Sequence, residues 1–142
     1  MNRFVILLHK LGEGVEGELG NEHWDMMFEV EIDGCRKLDT WAIPPQSNLI
    51  KTESGNIGKT LNAFSCPAKK LPYHRPEYLD YEGDISNNRG NVKKIDSGNF
   101  QKIRENKFNL SGNLINGELT ITNNPNKPDS HKITFKPKIN NF

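Results

Sequence analysis

Ten consecutive residues, His23-Trp24-Asp25-Met26-Met27-Phe28-Glu29-Val30-Glu31-Ile32, alternate with a period of two. In an extended chain Trp24, Met26, Phe28, Val30 and Ile32 fall on one side, and His23, Asp25, Met27, Glu29 and Glu31 on the other. A helix would scatter both sets around its axis, so the segment reads as a strand with one apolar face. The rest of the chain extends the argument. Runs of helical periodicity are absent, and β-rich stretches recur near 3–8, 36–43, 59–65, 91–96, 99–104, 107–111, 114–122 and 131–137. Turn-forming pairs punctuate them: Asp33-Gly34, Ser97-Gly98, Ser111-Gly112 and Asn116-Gly117. Many short strands with such turns predict an all-β fold, a compact antiparallel β-barrel with little helix. No repeat or linker divides the chain, so residues 1–142 are expected to form one domain, with the tail 138–142 frayed.

Charge narrows the function. Lys and Arg number 19 and Asp and Glu 18, a formal net charge of +1. No overall positive field exists to hold nucleic acid, so phosphate binding requires a local cluster. Cys35 and Cys66 are far apart in sequence and read as two reduced thiols. The apolar stretch Phe4–Leu8 is five residues long, too short for a membrane span or signal-peptide core, and reads as a strand. The expectation is a cytoplasmic monomer with no membrane partner.

Three residues then carry chemistry. His23 and Asp25 share a strand face, about 7 Å apart at ~3.3 Å of rise per residue, within reach of one ion. Alone, a polar face on an antiparallel strand reads as solvated. His9 changes the weighing because it ends the apolar strand Phe4–Leu8, at a sheet rim. Between them, residues 10–22 hold four glycines and four glutamates, either a solvated excursion or a flap beside a site. Two histidines and a carboxylate make a facial set for a divalent metal, with positions left for water and substrate. Downstream, the segment 72–83 concentrates polar function. His74 can exchange a proton, Arg75 can hold a phosphate through its planar fork, and Tyr78 offers a hydroxyl. Tyr73 and Tyr81 read as packing on the barrel end, His131 as a plain strand-start residue, and Glu29 and Glu31 as solvated groups or supports of the site. His-x-Asp with a distant histidine, His74 or His131, is also the iron set of non-heme oxygenases. The chain is short for such an enzyme, and that scheme gives His9 no role.

Several ordered motifs resemble the 3′-phosphoesterase domain of bacterial DNA ligase D. They are Arg3-Phe4-Val5 to His9, His23-Trp24-Asp25 with Phe28-Glu29-Val30, Asp33-Gly34, and Trp41-Ala42-Ile43-Pro44. The similarity continues through His74, Tyr78 and Asp80-Tyr81-Glu82-Gly83, then Asn91-Val92 and Ile95-Asp96-Ser97-Gly98-Asn99-Phe100. It ends at Phe108, Gly112 and Gly117-Glu118-Leu119, so it spans about residues 3–122. The resemblance implies a β-barrel with a manganese-type ion held by His9, His23 and Asp25, and with His74 and Tyr78 acting on the phosphate. The implied activity removes a 3′ phosphate or 3′ ribonucleotide from nucleic acid in DNA repair, with a DNA ligase as the implied partner. Two features depart from the family. Met27 stands where it has a phosphate-binding Arg, and His9 and His23 are further apart in sequence. Arg75 or Arg89 is expected to supply the missing charge, or else Met27→Arg to restore it. The alternative is a catalytically weak or inactive module that binds nucleic-acid ends or a ligase.

Overall fold

A computed structural model describes residues 2–12, 14, 17, 20–46 and 62–138. The strands are β1 (Asn2–Lys10), β2 (Glu22–Ile32), β3 (Cys35–Ile43), β4 (Phe64–His74), β5 (Gly83–Ile85), β6 (Gly90–Arg104), β7 (Lys107–Gly112), β8 (Asn116–Asn124) and β9 (Lys127–Pro137). One 3-10 turn, Pro76–Leu79, is the helical element among the described residues. The strands pair in the order β1-β2-β3-β4-β9-β8-β7-β6, and β6 returns to β1. The result is a closed, eight-stranded antiparallel barrel, with β5 added along the start of β6. Closure leaves no open sheet edge along the barrel wall.

The period-two pattern fills the interior. Phe4 and Ile6 of β1, Trp24, Met26 and Phe28 of β2, and Trp41 and Ile43 of β3 point inward. Phe100 of β6, Phe108 of β7 and Phe135 of β9 belong to the same interior cluster. Phe28 stacks on Phe108 at 5.1 Å and meets Phe100 edge-on at 5.3 Å, geometries that aromatic quadrupoles favour.

The outer face of β1, β2 and β3 is also buried, which sequence alternation alone did not predict. Val5, Leu7, Met27 and Leu38 lie there beneath Leu79 of the 3-10 turn, with Val92 beside them and Tyr78 and Ile85 at the margin. The segment after β4 thus folds back over the barrel's outside. Arg3 and Asp80 pair at 2.7 Å and fix that segment to the start of β1. Glu29, expected to be solvated or beside the site, is buried and serves the scaffold. Its Oε1 accepts the Arg3 N–H, and its Oε2 lies 2.8 Å from Arg36 Nε.

Several boundaries differ from the sequence reading. The pair Ser97-Gly98 lies inside β6, where Gly98 is paired with Phe4 on one side and Gly112 on the other. A Cβ at Gly98 would collide with the Ser111 carbonyl, so glycine is there for a close strand approach rather than a turn. The turn after β7 is residues 113–115, between Ser111-Gly112, which ends β7, and Asn116-Gly117, which starts β8. The strand expected at 59–65 starts at Phe64 and runs to His74; residues 59–61 lie outside the described residues, as does the tail beyond 138. The strand contains Pro67 and Pro72, neither of which can donate to a strand ladder. β4 accommodates them because its first half pairs with β9 and its second half with β3. Pro67 lies where only β9 is a partner, and Pro72 falls in the register shift opposite β3. Asp33-Gly34 is a tight hairpin turn, with φ of 51° and 79°, as expected.

Candidate metal centre and phosphate pocket

The antiparallel register of β1 and β2 sets His9 directly opposite His23, and Leu7 opposite Asp25. The separation of the two histidines in sequence therefore costs nothing in space; residues 13, 15–16 and 18–19 of the segment between them, read from sequence as an excursion or a flap, lie outside the described residues. Cross-strand partners share a face, and Asp25 follows His23 on that face after one pleat. One potential ligand atom from each of His9, His23 and Asp25 lies within 4.8 Å of the others. No other group of three such residues meets this criterion among the described residues. His74 and His131 stand outside it. His131 is the fifth residue of β9, not its start, and packs edge-on against Trp41 at 4.9 Å.

The three side chains do not form a finished hydrogen-bond network. Asp25 is 2 % exposed. His9 Nδ1 lies 3.3 Å from Asp25 Oδ2, and His23 Nε2 lies 2.9 Å from Asp25 Oδ1. The second contact is close but not aligned for hydrogen bonding, and both atoms are buried without a hydrogen-bond partner. Buried polar atoms left in this state are costly unless something else satisfies them. Two imidazole nitrogens and a carboxylate oxygen that converge in this way fit a divalent transition metal.

The His9 ring is held from behind. Its Nε2 donates to the Arg89 carbonyl at 2.7 Å, which leaves Nδ1 facing Asp25. Such a hydrogen bond fixes tautomer and ring orientation in metal-binding histidines. The carbonyl reaches His9 because the 86–89 turn lies against the end of β1. Asn87 and Asn88 have φ of 63° and 55°, and Gly90, at φ 96°, has no Cβ to collide with the Lys10 carbonyl. The Asp25 contact raises the pKa of His9 above its ordinary value, with burial opposing and the Arg89 carbonyl assisting. Burial pushes the Asp25 carboxyl up, but contact with His23 and His9 outweighs it and holds the group below the usual carboxylate range.

Beside this group an open pocket of about 390 Å³ is lined by His9, Tyr73, His74, Arg75, Tyr78, Ile85 and Arg89. The structure thus brings His74, Arg75, Tyr78 and Arg89 to the same side of the barrel as His9. His74 Nδ1 donates to the Pro72 carbonyl at 2.9 Å, and its ring meets Tyr78 edge-on at 5.8 Å. Arg89 is oriented by Ser86, its Nε donating to the carbonyl and Nη2 to the hydroxyl. Arg75 Nε lies 3.7 Å from Glu77. Met27 is 1 % exposed beneath Leu79 and presents nothing to the pocket. The expectation that an Arg at position 27 would restore a phosphate contact is therefore corrected. In this fold it would bury a guanidinium among aliphatic side chains.

Sequence reading assigned Tyr73 to packing on the barrel end, whereas it is 47 % exposed and lines the pocket. It also missed Ile85 as a wall and the Arg89 carbonyl as the support of His9. A backbone carbonyl carries no side-chain signature, and Gly90 was the only trace of that contact. Two recesses of about 460 and 480 Å³ adjoin His131 on another part of the wall. No helix among the described residues is long and apolar enough to cross a membrane. No model of a known protein family matches the chain, and no curated protein matches it significantly.

Proposed function

We propose that this protein is a metal-dependent phosphoesterase that removes a phosphate or ribonucleotide from the 3′ ends of nucleic acid. The observation that carries this reading is a juxtaposition. A three-residue ligand set, His9, His23 and Asp25, adjoins a pocket walled by two arginines, a histidine and a tyrosine. The ordered motifs shared with the ligase D 3′-phosphoesterase domain point to the same chemistry. On this reading the site works in DNA repair in the cytoplasm, beside a ligase partner, with manganese as the ion.

His9 would hold the ion through Nδ1, His23 through Nε2 and Asp25 through a carboxylate oxygen. A divalent ion bound there supplies Lewis-acid polarisation of a phosphoryl oxygen and acidifies water. Arg75 and Arg89 orient the phosphate by charge-assisted hydrogen bonds. Because His74 Nδ1 keeps its proton on the Pro72 carbonyl, the proton it exchanges is the one on Nε2. That proton passes to the leaving oxygen. The Tyr78 hydroxyl donates to the phosphate as charge builds.

The test is turnover of a 3′-phosphate primer with manganese. Wild type should release phosphate and chelator should stop it. Arg75→Ala or Arg89→Ala should slow release by roughly a hundredfold to a thousandfold while metal stays bound. A specific observation favours a second reading, a binding module without turnover: Met27 is buried where the related family has its phosphate-binding Arg. Metal-loaded wild type that binds primer ends without releasing phosphate would select the module.

A further inference from the structure

Next to the metal-side pocket lies a second recess of about 270 Å³, and the two share Arg75, Tyr78, Ile85 and Arg89 as a common wall. Their remaining linings differ in charge. The metal-side pocket holds no carboxylate in its lining. The second recess adds Glu77, Tyr81, Asp84 and Ser86. A second phosphate would be repelled by Glu77 and Asp84, whereas an uncharged group with N–H donors would find acceptors there.

Tyr81 identifies the kind of group. Only three large hydrophobic side chains are exposed among the described residues: Tyr73, Tyr81 and Ile103. Tyr73 has ammonium groups over its ring, Lys37 at 5.8 Å and Lys70 at 5.2 Å. Tyr81 is 39 % exposed, yet its ring is fixed at two points. Its hydroxyl donates to the Asp84 carbonyl, and its ring stands at 88° to Tyr78, 5.9 Å away. An exposed aromatic held rigid loses little entropy when a flat ligand stacks on it. Stacking platforms beside cationic groups are how proteins hold single-stranded nucleic acid.

We infer that the second recess is a nucleobase subsite: a base stacks on Tyr81 while its own 3′ phosphate sits across the Arg75–Arg89 wall at the metal side. This rests on the phosphoesterase reading and assigns the place where the terminal base of its substrate is held.

The experiment compares two probes on the manganese-loaded protein by calorimetry, the methylenephosphonate analogues of adenosine 3′-monophosphate and of ribose 3-phosphate, whose carbon–phosphorus bond the site cannot hydrolyse. Base–aromatic stacking of about 1–3 kcal/mol corresponds to roughly 5- to 150-fold tighter binding of the nucleotide. Tyr81→Ala should bring the nucleotide to the affinity of the sugar phosphate and leave the sugar phosphate unchanged. Tyr81→Phe, which keeps the ring, should retain a preference and guards against misfolding of the smaller variant. Equal affinities in wild type would overturn the subsite alone. So would equal losses of both probes in Tyr81→Ala, or no preference in a folded Tyr81→Phe. Failure of wild type to bind either probe would remove the phosphate site, and the base subsite with it.

Discussion

Asp25 and Asp96 are carboxylates buried alike, 2 % and 3 % exposed, on neighbouring parts of one barrel, and their partners differ in kind. Asp96 accepts four backbone N–H groups, from Ser97 and Asn113 on Oδ1 and from Leu114 and Ile115 on Oδ2, all at 2.8–2.9 Å. Gly112 lacks the Cβ that would collide with this carboxylate, so the 113–115 turn can wrap it. Asp25 faces two imidazoles instead, and its Oδ1 has no hydrogen bond. Backbone donors cannot move or change protonation, so Asp96 is committed to holding β6 to the turn after β7. Imidazoles can release a proton and turn a lone pair to a cation, which on the proposed reading leaves Asp25 open to an ion.

The largest break in this comparison should come from Asp96→Ala. Four buried donors would lose a charged acceptor, at a cost of about 3–5 kcal/mol in folding stability. Urea unfolding should show it as a lower midpoint, while manganese affinity of the folded variant is retained. Two residues along from Asp25, Met27→Arg should cost about 3 kcal/mol, because the charge would be buried without a partner. It should yield no gain in phosphate release.

Asp25→Asn should act in the opposite way to Asp96→Ala. Manganese affinity by calorimetry should fall at least about a hundredfold, ~2.7 kcal/mol. The metal-free protein at pH 8 should lose about 1 kcal/mol or less, since only imperfect contacts are removed. A smaller effect is expected from Gly90→Ala. The new Cβ meets the Lys10 carbonyl and shifts the carbonyl of Arg89 away from His9. Losing such a support typically lowers metal affinity about 10- to 100-fold. Titration with a competing chelator measures it.

How much of this was legible in the sequence depends on which contacts set each part. The barrel was legible because alternation such as that of Trp24, Met26 and Phe28 is a one-dimensional record of one inward face. The grouping of His9, His23 and Asp25 was legible because His23-x-Asp25 is local and His9 needs only one hairpin to meet it. The burial of the outer face was not, because Met27 and Leu7 are covered by Leu79, more than fifty residues away in the chain. Ser97-Gly98 misled because glycine permits close strand approach as well as turns. The length of β4 was hidden because Pro67 is tolerated only beside a single partner strand and Pro72 only in a register shift. The convergence of Arg75 and Arg89 depends on the fold-back of segment 76–89, which no periodicity records.

The smallest expected effect concerns pH, and it separates the two carboxylates without mutating either. In metal-free protein, contact with Asp25 raises the His9 pKa above the ordinary histidine value, against the opposing effect of burial. A raised folded pKa means that the pairing contributes fully below the unfolded value of about 6.5. That contribution disappears as pH rises through the folded value. For Asp25, burial acts upward, but the His23 and His9 contacts leave the folded pKa lowered. Its contribution is therefore present above the unfolded value of about 3.9, and is lost as pH falls through the folded one. The two windows overlap between about pH 4 and 6.5, where the His9–Asp25 pair contributes most. Chelator-treated protein should therefore lose some stability between pH 6.5 and 8, measured by urea midpoint, and His9→Gln should remove that part of the slope. Manganese affinity should run the other way, rising over the same range as His9 Nδ1 sheds the proton that competes with the ion. No imidazole hydrogen-bonds to Asp96, whose partners are backbone N–H groups, so a slope that survived in His9→Gln unchanged would remove the functional distinction between the two aspartates.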